Sequence, residues 1–335
     1  MRKTRTLLLG ILCVGLMSLA MADEALLQRP EVQAFIKQHA REDGYTPEAL
    51  GAVLQQATLK PMILTILDRP STAQPWYLFR PNHVNSKLAI DGVRFWQQNS
   101  AALARAEALY GVEPQVVVAI LGIETHYGRN MGSFRVLDAL TTIAFGYPRR
   151  AEYFQQELSQ FLMLAREEGG DPLRFKGSYA GAMGMAQFMP SSFRTWAVDF
   201  NGDRQRDIWN SPDDVIGSVA HYLQAHGWQH HADSVYPAVV SPAVAEQLAA
   251  DKFNLHYTLN TLRTMGVVVQ AELPADVLAV VFPLEFQPGV TEYWLGLQNF
   301  YTLTRYNKST LYAMAVTQLA NDIKSRYFSQ LATQQ

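Results

Sequence analysis

"AILGIETHYGRN", Ala119–Asn130, ends an unbroken apolar run with a single carboxylate. Val116 to Leu121 are apolar, Pro114 suits a first helical turn and Gly128 offers a cap, so the spacing predicts a buried helix from Pro114 to about His126. Glu124 falls near its C-terminal end, with His126, Tyr127 and Gly128 directly after it. An ionised carboxylate in such a place is costly, so the group pairs, neutralises or works. Apolar neighbours and the negative end of the helix dipole both disfavour its charged form, and a wall of packed aromatics, with Tyr127 adjacent, would exclude water. A carboxyl held protonated near neutral pH is what a general acid needs. The simpler alternative is a solvated glutamate on the last turn, paired with Arg129.

Working outward, helical pattern runs from Arg29 to about Leu67, with Thr46-Pro47-Glu48 as a start signal, and again from Lys87 to Leu109. Arg69 to Val84, with three prolines and three aromatics, reads as an irregular crossing. Beyond Glu124, helices are expected over Arg135–Ala144, Arg149–Glu168, Pro212–His226 and Ser309–Ser325. Only Asp233–Pro288, with "GVVVQ" and "VLAVVF" between turn residues, reads as β structure. The fold class is therefore mainly α (α+β) with a small β-containing insert, and not a βαβ repeat.

The 335 residues are 48% hydrophobic and 17% charged, the composition of a globular protein, and the formal net charge of −2 supplies no field for nucleic acid. Arg2, Lys3 and Arg5, the apolar Leu7 to Leu19 and Ala20-Met21-Ala22 form a cleavable signal peptide, residues 1–22. The apolar run is too short for a comfortable transmembrane anchor. The one cysteine, Cys13, lies within it behind Gly10-Ile11-Leu12, a poor lipoprotein site. The exported chain then has no disulfide, thiol nucleophile or thiolate metal site.

"KGSYAGAMGMAQFMPSSF", Lys176 to Phe193, is rich in small residues that let backbones or a ligand approach closely. A tightly packed helix pair would explain the glycines, but Ser178 and Gln187 add the hydrogen-bonding groups that a sugar-binding cleft requires. "DFNGDRQRDIWNSPDD", Asp199 to Asp214, spaces oxygens as a calcium-binding EF-hand loop does, through Asp199, Asn201, Asp203, the Gln205 carbonyl and Asp207. Arg204 stands where glycine is expected, and a plain acidic turn is the alternative. "HGWQHHAD" sets His226 and His230 four apart beside His231, a zinc spacing if helical, though no H-E-x-x-H or cysteine supports it.

"GIETHYG" together with "GAMGMAQFMPSS" resembles the lysozyme-like lytic murein transglycosylases, specifically the family of membrane-bound lytic transglycosylase B. "DALTTIAFGYPRRAEYF", "SVAHYLQAHGW" and "NFYTLTRYNKS" resemble family segments in the same order. The likeness covers most of the chain from about Gly92 and weakens over Ala232 to Ala279. It implies an N-terminal helical region (23–91), a lysozyme-like catalytic core carrying the EF-hand-like loop (92–231), a small β-containing region (232–290) and a C-terminal segment completing the core (291–335). It places Glu124 on the family's sole catalytic acid/base. Ser178, Gln187, Arg149, Arg150, Tyr222, Tyr301, Tyr306 and Asn307 fall on glycan-contacting cleft positions, and Asp214 on the late carboxylate of the metal loop. Phe79 in "WYLFRP" departs from an expected tyrosine, which puts one hydrogen bond near the catalytic centre in doubt.

Ordinary glycosidases use two carboxylates. Here only one well-placed acid is found, and the other candidates, Asp138 and Glu152, have structural explanations on helix faces. An enzyme with one acid can work if the substrate supplies the nucleophile. The resemblance implies that Glu124 protonates the oxygen between N-acetylmuramic acid and N-acetylglucosamine, then deprotonates the muramic C6 hydroxyl, which closes a 1,6-anhydro ring. The expected protein is a periplasmic lytic transglycosylase of peptidoglycan strands, with no cofactor for the chemistry and a structural Ca²⁺. Its protein partners would belong to cell-wall synthesis or remodelling, and association with the outer membrane is left open. The rivals are a muramidase using water and a silent glycan-binding scaffold.

Overall fold

The computed structural model describes residues 26–42, 44–68, 74–250 and 252–333. The signal-peptide expectation and Cys13 lie outside them. The chain forms two compact units that interleave along the sequence. The first takes its described residues from 26–68 and 131–195, the second from 74–130 and 196–333.

Proline punctuates both units. Helices Pro47–Leu54, Pro61–Leu67, Pro114–Thr125, Pro212–Ala225 and Pro242–Ala249 all begin on one, where the missing N–H is no loss. Side-chain caps accept the next free amides: Thr46 from Ala49, Ser211 from Asp214, Ser241 from Val244.

In the first unit, Val136–Gly146 packs on Ala151–Glu167, with β1 (Phe134–Arg135) paired antiparallel to β2 (Lys176–Gly177) at its edge. Asp138, nearly fully buried, accepts the Thr58 amide at 2.9 Å and two Arg135 nitrogens at 2.9 and 2.8 Å. Buried Glu157 accepts the amide and hydroxyl of Ser191. Both carboxylates are thus committed to holding loops.

In the second unit, Pro114–Thr125 is the central helix, buried at Val116–Gly122 against Ser86–Gln98 and Thr310–Ala332. Three consecutive valines are poor helix formers, so burial carries the helix, at roughly 1.5–3 kcal/mol per large aliphatic side chain. The sheet runs β3 (Val235–Ala238), β6 (Val290–Gly296), β5 (Leu278–Gln287), β4 (Tyr257–Thr258), all antiparallel. One face covers a core of Leu248, Leu259, Leu262, Val281 and Leu295. The β region therefore reaches Gly296, beyond Pro288, because β6 completes the hairpin. The span read as an irregular crossing contains the helix Trp76–His83, with Pro81 inside it. Its apolar anchors Trp76 and Phe79 bury side by side, and Phe286 of β5 meets Trp76 at 6.2 Å. Phe79 stacks on His83 at 3.9 Å.

The central helix ends on a strained cap rather than on Gly128 alone. His126 (φ 52) and Tyr127 (φ 60) are both left-handed, and Gly128 follows at φ 83. His126 N–H donates to Gly122 O and Tyr127 N–H to Leu121 O. Left-handed backbone costs roughly 1–2 kcal/mol per non-glycine residue. Packing offsets it: the Tyr127 hydroxyl donates to Leu88 O at 2.9 Å and its ring stacks on Phe95. The ring fits only because Gly92 and Gly122 lack side chains; a Cβ would lie 2.5 Å or 2.6 Å from the hydroxyl.

Gly122→Ala tests this lock. On an open helix the change stabilises by about 1 kcal/mol. Here it is expected to destabilise by about 1–3 kcal/mol in urea unfolding, because Tyr127 cannot keep its place. Wild-type stability would mean that the ring yields freely.

Candidate active site

Glu124 lies in the last turn of its helix, just before the locked end, and is met by a residue from near the end of the chain. Ser309 caps Thr310–Ala332 by accepting the Tyr312 amide, which puts Tyr312 in the first turn. Its hydroxyl donates to Glu124 Oε1 at 2.6 Å. Tyr306, closing Gln298–Tyr306, lies parallel to Tyr312 with ring centroids 6.4 Å apart. Tyr222 meets Tyr306 edge-on at 5.0 Å and stacks on His226 at 4.0 Å. The aromatic wall is therefore Tyr306 and Tyr312, not Tyr127, which is keyed into the neighbouring helix.

Burial pushes the Glu124 carboxyl up to about 7, and the Tyr312 hydrogen bond opposes this without overcoming it. Glu124 keeps some accessible surface, yet protein atoms crowd it enough to strip most solvation. Burial and then the Glu124 charge hold the Tyr306 and Tyr312 hydroxyls well above the usual phenol range, so both stay neutral donors. Arg129 does not pair with Glu124. It donates to Asp91 Oδ2 at 2.6 Å, and Asp91, held down to about 2 by Arg129 and Lys87, also takes Arg94. The solvated-pair alternative is thereby removed.

Tyr312 was absent from the sequence reading, since it sits on the apolar face of a helix 188 residues downstream. The one available signal was Ser309, whose capping places Tyr312 at the third helical position. Of the other expected residues in this unit, Tyr222 is buried and its hydroxyl donates to Arg305 O at 2.7 Å, fixing the backbone beside Tyr306. Tyr301 stacks under the Arg305 guanidinium at 4.3 Å, and Asn307 is exposed.

Four expected contacts lie in the first unit. Lys176–Phe193 is no helix pair: it is a compact turn bridged at Gly177–Met183 and Met183–Phe188, leading into Pro190–Trp196. Ser178 Oγ accepts the amides of Ala180 and Ala182. Gln187, left-handed at φ 51, donates Nε2 to Met131 O and Gly184 O. Arg149 and Arg150 occupy the 3₁₀ turn Pro148–Arg150; Arg149 pairs with Asp68 at 3.2 Å, and Arg150 lies over the Tyr153 and Phe154 rings.

Of the six expected metal ligands, Asp199, Asp203 and Asp214 bring carboxylate oxygens within 4.8 Å of one another. Asn201 hydrogen-bonds Asp203, and Gln205 N–H donates to it. Asp207 is turned to its own bend, accepting the Trp209 and Asn210 amides. Buried Asp214 accepts the amides of Phe200, Asn201 and Asp207 and so organises the loop. Arg204 adopts φ 73, the conformation for which glycine was expected. The zinc spacing of His226 and His230 is not realised on a helix, because the helix stops at Ala225 and His226 Nδ1 is bound to Tyr222 O.

The family model for the transglycosylase SLT domain matches residues 27–321. Membrane-bound lytic murein transglycosylase B of Escherichia coli (strain K12) is 43% identical over 304 residues, 88% of this chain and 82% of that protein. Soluble lytic transglycosylase SltB1 from Pseudomonas aeruginosa matches with a TM-score of 0.82 at 43% identity, over 89% of this chain and 99% of that one. Escherichia coli lytic transglycosylase Slt35, solved in complex with calcium, gives 0.80 at 41%, over 90% and 95%. SltB3 from Pseudomonas aeruginosa, in complex with NAG-anhNAM-pentapeptide, gives 0.73 at 29%, over 87% and 78%.

The Glu124 environment has a consequence for stability. A carboxyl raised on folding contributes stability below its unfolded value of 4.5 that is lost as pH rises through about 7. Glu124→Gln removes the ionisation. It should therefore melt higher than wild type at pH 8, by on the order of 1–3 kcal/mol, with a smaller difference at pH 5. Equal differences at the two pH values would show that Glu124 is not desolvated.

Proposed function

The chain belongs to the lytic murein transglycosylase B family, an enzyme family with a mainly α, lysozyme-like fold that cleaves peptidoglycan, and from that premise we propose that Glu124 is its single acid/base. One observation carries the proposal: the crowded Glu124 carboxyl accepts the Tyr312 hydroxyl at 2.6 Å, while Arg129, the cation beside it in sequence, is bound to Asp91 instead.

Protonated Glu124 gives its proton to the glycosidic oxygen between N-acetylmuramic acid and N-acetylglucosamine, and the C1–O bond breaks. The resulting carboxylate, held by Tyr312, takes the proton of the muramic C6 hydroxyl as that oxygen closes on C1. The proton returns to Glu124, no water is consumed, and a 1,6-anhydro end remains. The NAG-anhNAM-pentapeptide held by the SltB3 relative supports this reading, since its anhydro sugar is such an end. Ser178, Gln187, Arg149 and Arg150 are assigned to glycan contact, as are Tyr301, Tyr306 and Asn307. Tyr222 acts by positioning Tyr306.

No single helix among the described residues is long and apolar enough to cross a membrane. The positive, apolar and A-x-A segments at the start of the sequence support export to the periplasm. Partners there are proteins that build or remodel the same polymer.

Calcium is assigned to the Asp199–Asp214 loop in a structural role, supported by the three gathered carboxylates and by the calcium complex of the Slt35 relative. Asp199, Asp203 and Asp214 would hold it, and the ion would tie the loop to the start of Pro212–Ala225.

Glu124→Gln is expected to lower sacculus cleavage by about 10³-fold or more while glycan binding persists. Wild-type activity should fall as pH rises through about 7, because the starting state is the protonated acid. Mass spectrometry of the digest should find anhydromuramic ends, one water lighter than reducing ends; a digest of reducing ends would make the enzyme a muramidase. Calcium should raise the melting temperature, by about 2.7 kcal/mol of stability at a hundredfold excess over the dissociation constant, and Asp203→Ala should abolish the rise. A melt indifferent to calcium and chelator would reduce the loop to an acidic turn.

A further inference from the structure

At the opposite end of the Glu124 helix, about 16 Å away along its axis, a second group of metal-type donors gathers. Glu113 precedes Pro114 as the N-cap residue and is 8% exposed. Donor atoms of Glu113, His230 and His231 all lie within 4.8 Å of one another. We infer that these three side chains form a site for a zinc-like divalent cation, separate in place and chemistry from the calcium loop.

Four observations carry this. First, Glu113 has only neutral donors: Trp228 Nε1 at 2.8 Å and the His231 amide at 2.5 Å. Among the described residues no lysine or arginine forms an ion pair with it, so a nearly buried negative charge lacks a permanent counter-charge. Second, His231 Nδ1 stands 3.6 Å from Glu113 Oε1. That is too long for a hydrogen bond, and it is close to the spacing of about 3.4 Å between two ligands of one tetrahedral zinc. Third, His230 Nε2 faces Glu107 Oε1 at 3.4 Å, the kind of carboxylate partner that fixes the tautomer of a ligating imidazole. Fourth, His231 is held left-handed at φ 61, and the two imidazoles stack with centroids 3.6 Å apart. The left-handed turn thus keeps the two imidazoles side by side, each with a donor atom near Glu113.

The donor set, two imidazole nitrogens and one carboxylate oxygen, suits Zn²⁺ and disfavours Ca²⁺. A pocket of about 330 Å³ lined by Glu113, His231, Trp228 and Asp233 adjoins it and leaves room for a water to complete the shell. The cation would pin the turn after Pro212–Ala225, the helix carrying Tyr222, to the start of the helix carrying Glu124. It has a positioning role and touches neither substrate nor Glu124.

The test is calorimetric titration of tag-free, chelator-treated full chain with zinc chloride, in calcium-containing buffer. Wild type should bind one Zn²⁺ per chain at micromolar or tighter affinity and melt higher with it. His230→Ala and His231→Asn should each weaken binding by at least about tenfold. Both residues are surface-exposed, and asparagine tolerates the left-handed backbone, so folding, checked by circular dichroism, is kept. Asp203→Ala should leave zinc binding unchanged. Absence of binding at millimolar zinc, unchanged binding in the His230→Ala, His231→Asn double variant, or a loss confined to one histidine would each overturn the three-donor site.

Discussion

The hydrogen bond from Tyr312 to Glu124, 2.6 Å long, joins the central helix to the last one, and the proposed chemistry depends on what it leaves unfinished. A hydroxyl donating to a carboxylate stabilises the charge; burial destabilises it more, and the acid stays protonated up to about neutral pH. Two helix ends of opposite sign bear on the same group. Glu124 lies in the last turn of Pro114–Thr125, where the dipole disfavours negative charge, and Tyr312 lies in the first turn of Thr310–Ala332, where it is favoured. Such an environment neither traps the proton nor discards it.

That balance needs a backbone that does not move. The rigidity comes from Tyr127, three residues after the acid, whose ring lies against Gly92 and Gly122 and whose hydroxyl ties to Leu88 O. Two consecutive left-handed non-glycine residues are tolerated at the cap because this packing outweighs them. Arg129, bound to Asp91, then carries the chain away from the acid instead of neutralising it.

Much of this was legible in the sequence because the signals are local. Pro114 and the aliphatic run defined the central helix, and Ser309 started the final one. The acid stood out as the one charge in an apolar stretch. What the sequence concealed was long-range or compensated. Tyr312 reads as one more apolar-face residue until its partner 188 positions earlier is known. The helix Trp76–His83 was hidden by its prolines, whose penalty is offset by burying Trp76 and Phe79. A cap at His126 and Tyr127 contradicts local propensity, and only the glycines at 92 and 122 explain it. For the proposed glycan contacts, position in the turn was visible, but the commitment of Ser178 Oγ to two backbone amides was not.

One carboxylate suffices in the proposed reaction because the neighbours of Glu124 are phenols kept neutral by burial. Tyr306 and Tyr312 can donate hydrogen bonds to whichever oxygen bears charge, yet they cannot take up the proton or lose their own near neutral pH. A second carboxylate there would raise the cost of ionising Glu124 further, by like-charge repulsion in a poorly solvated site. It would delay the step in which the acid must exist as an anion. With the nucleophilic hydroxyl and the leaving oxygen both on the substrate, the proton leaves Glu124 and returns to it within one turnover. In that scheme the enzyme ends each cycle in the protonation state in which it began, with no water consumed between the two steps.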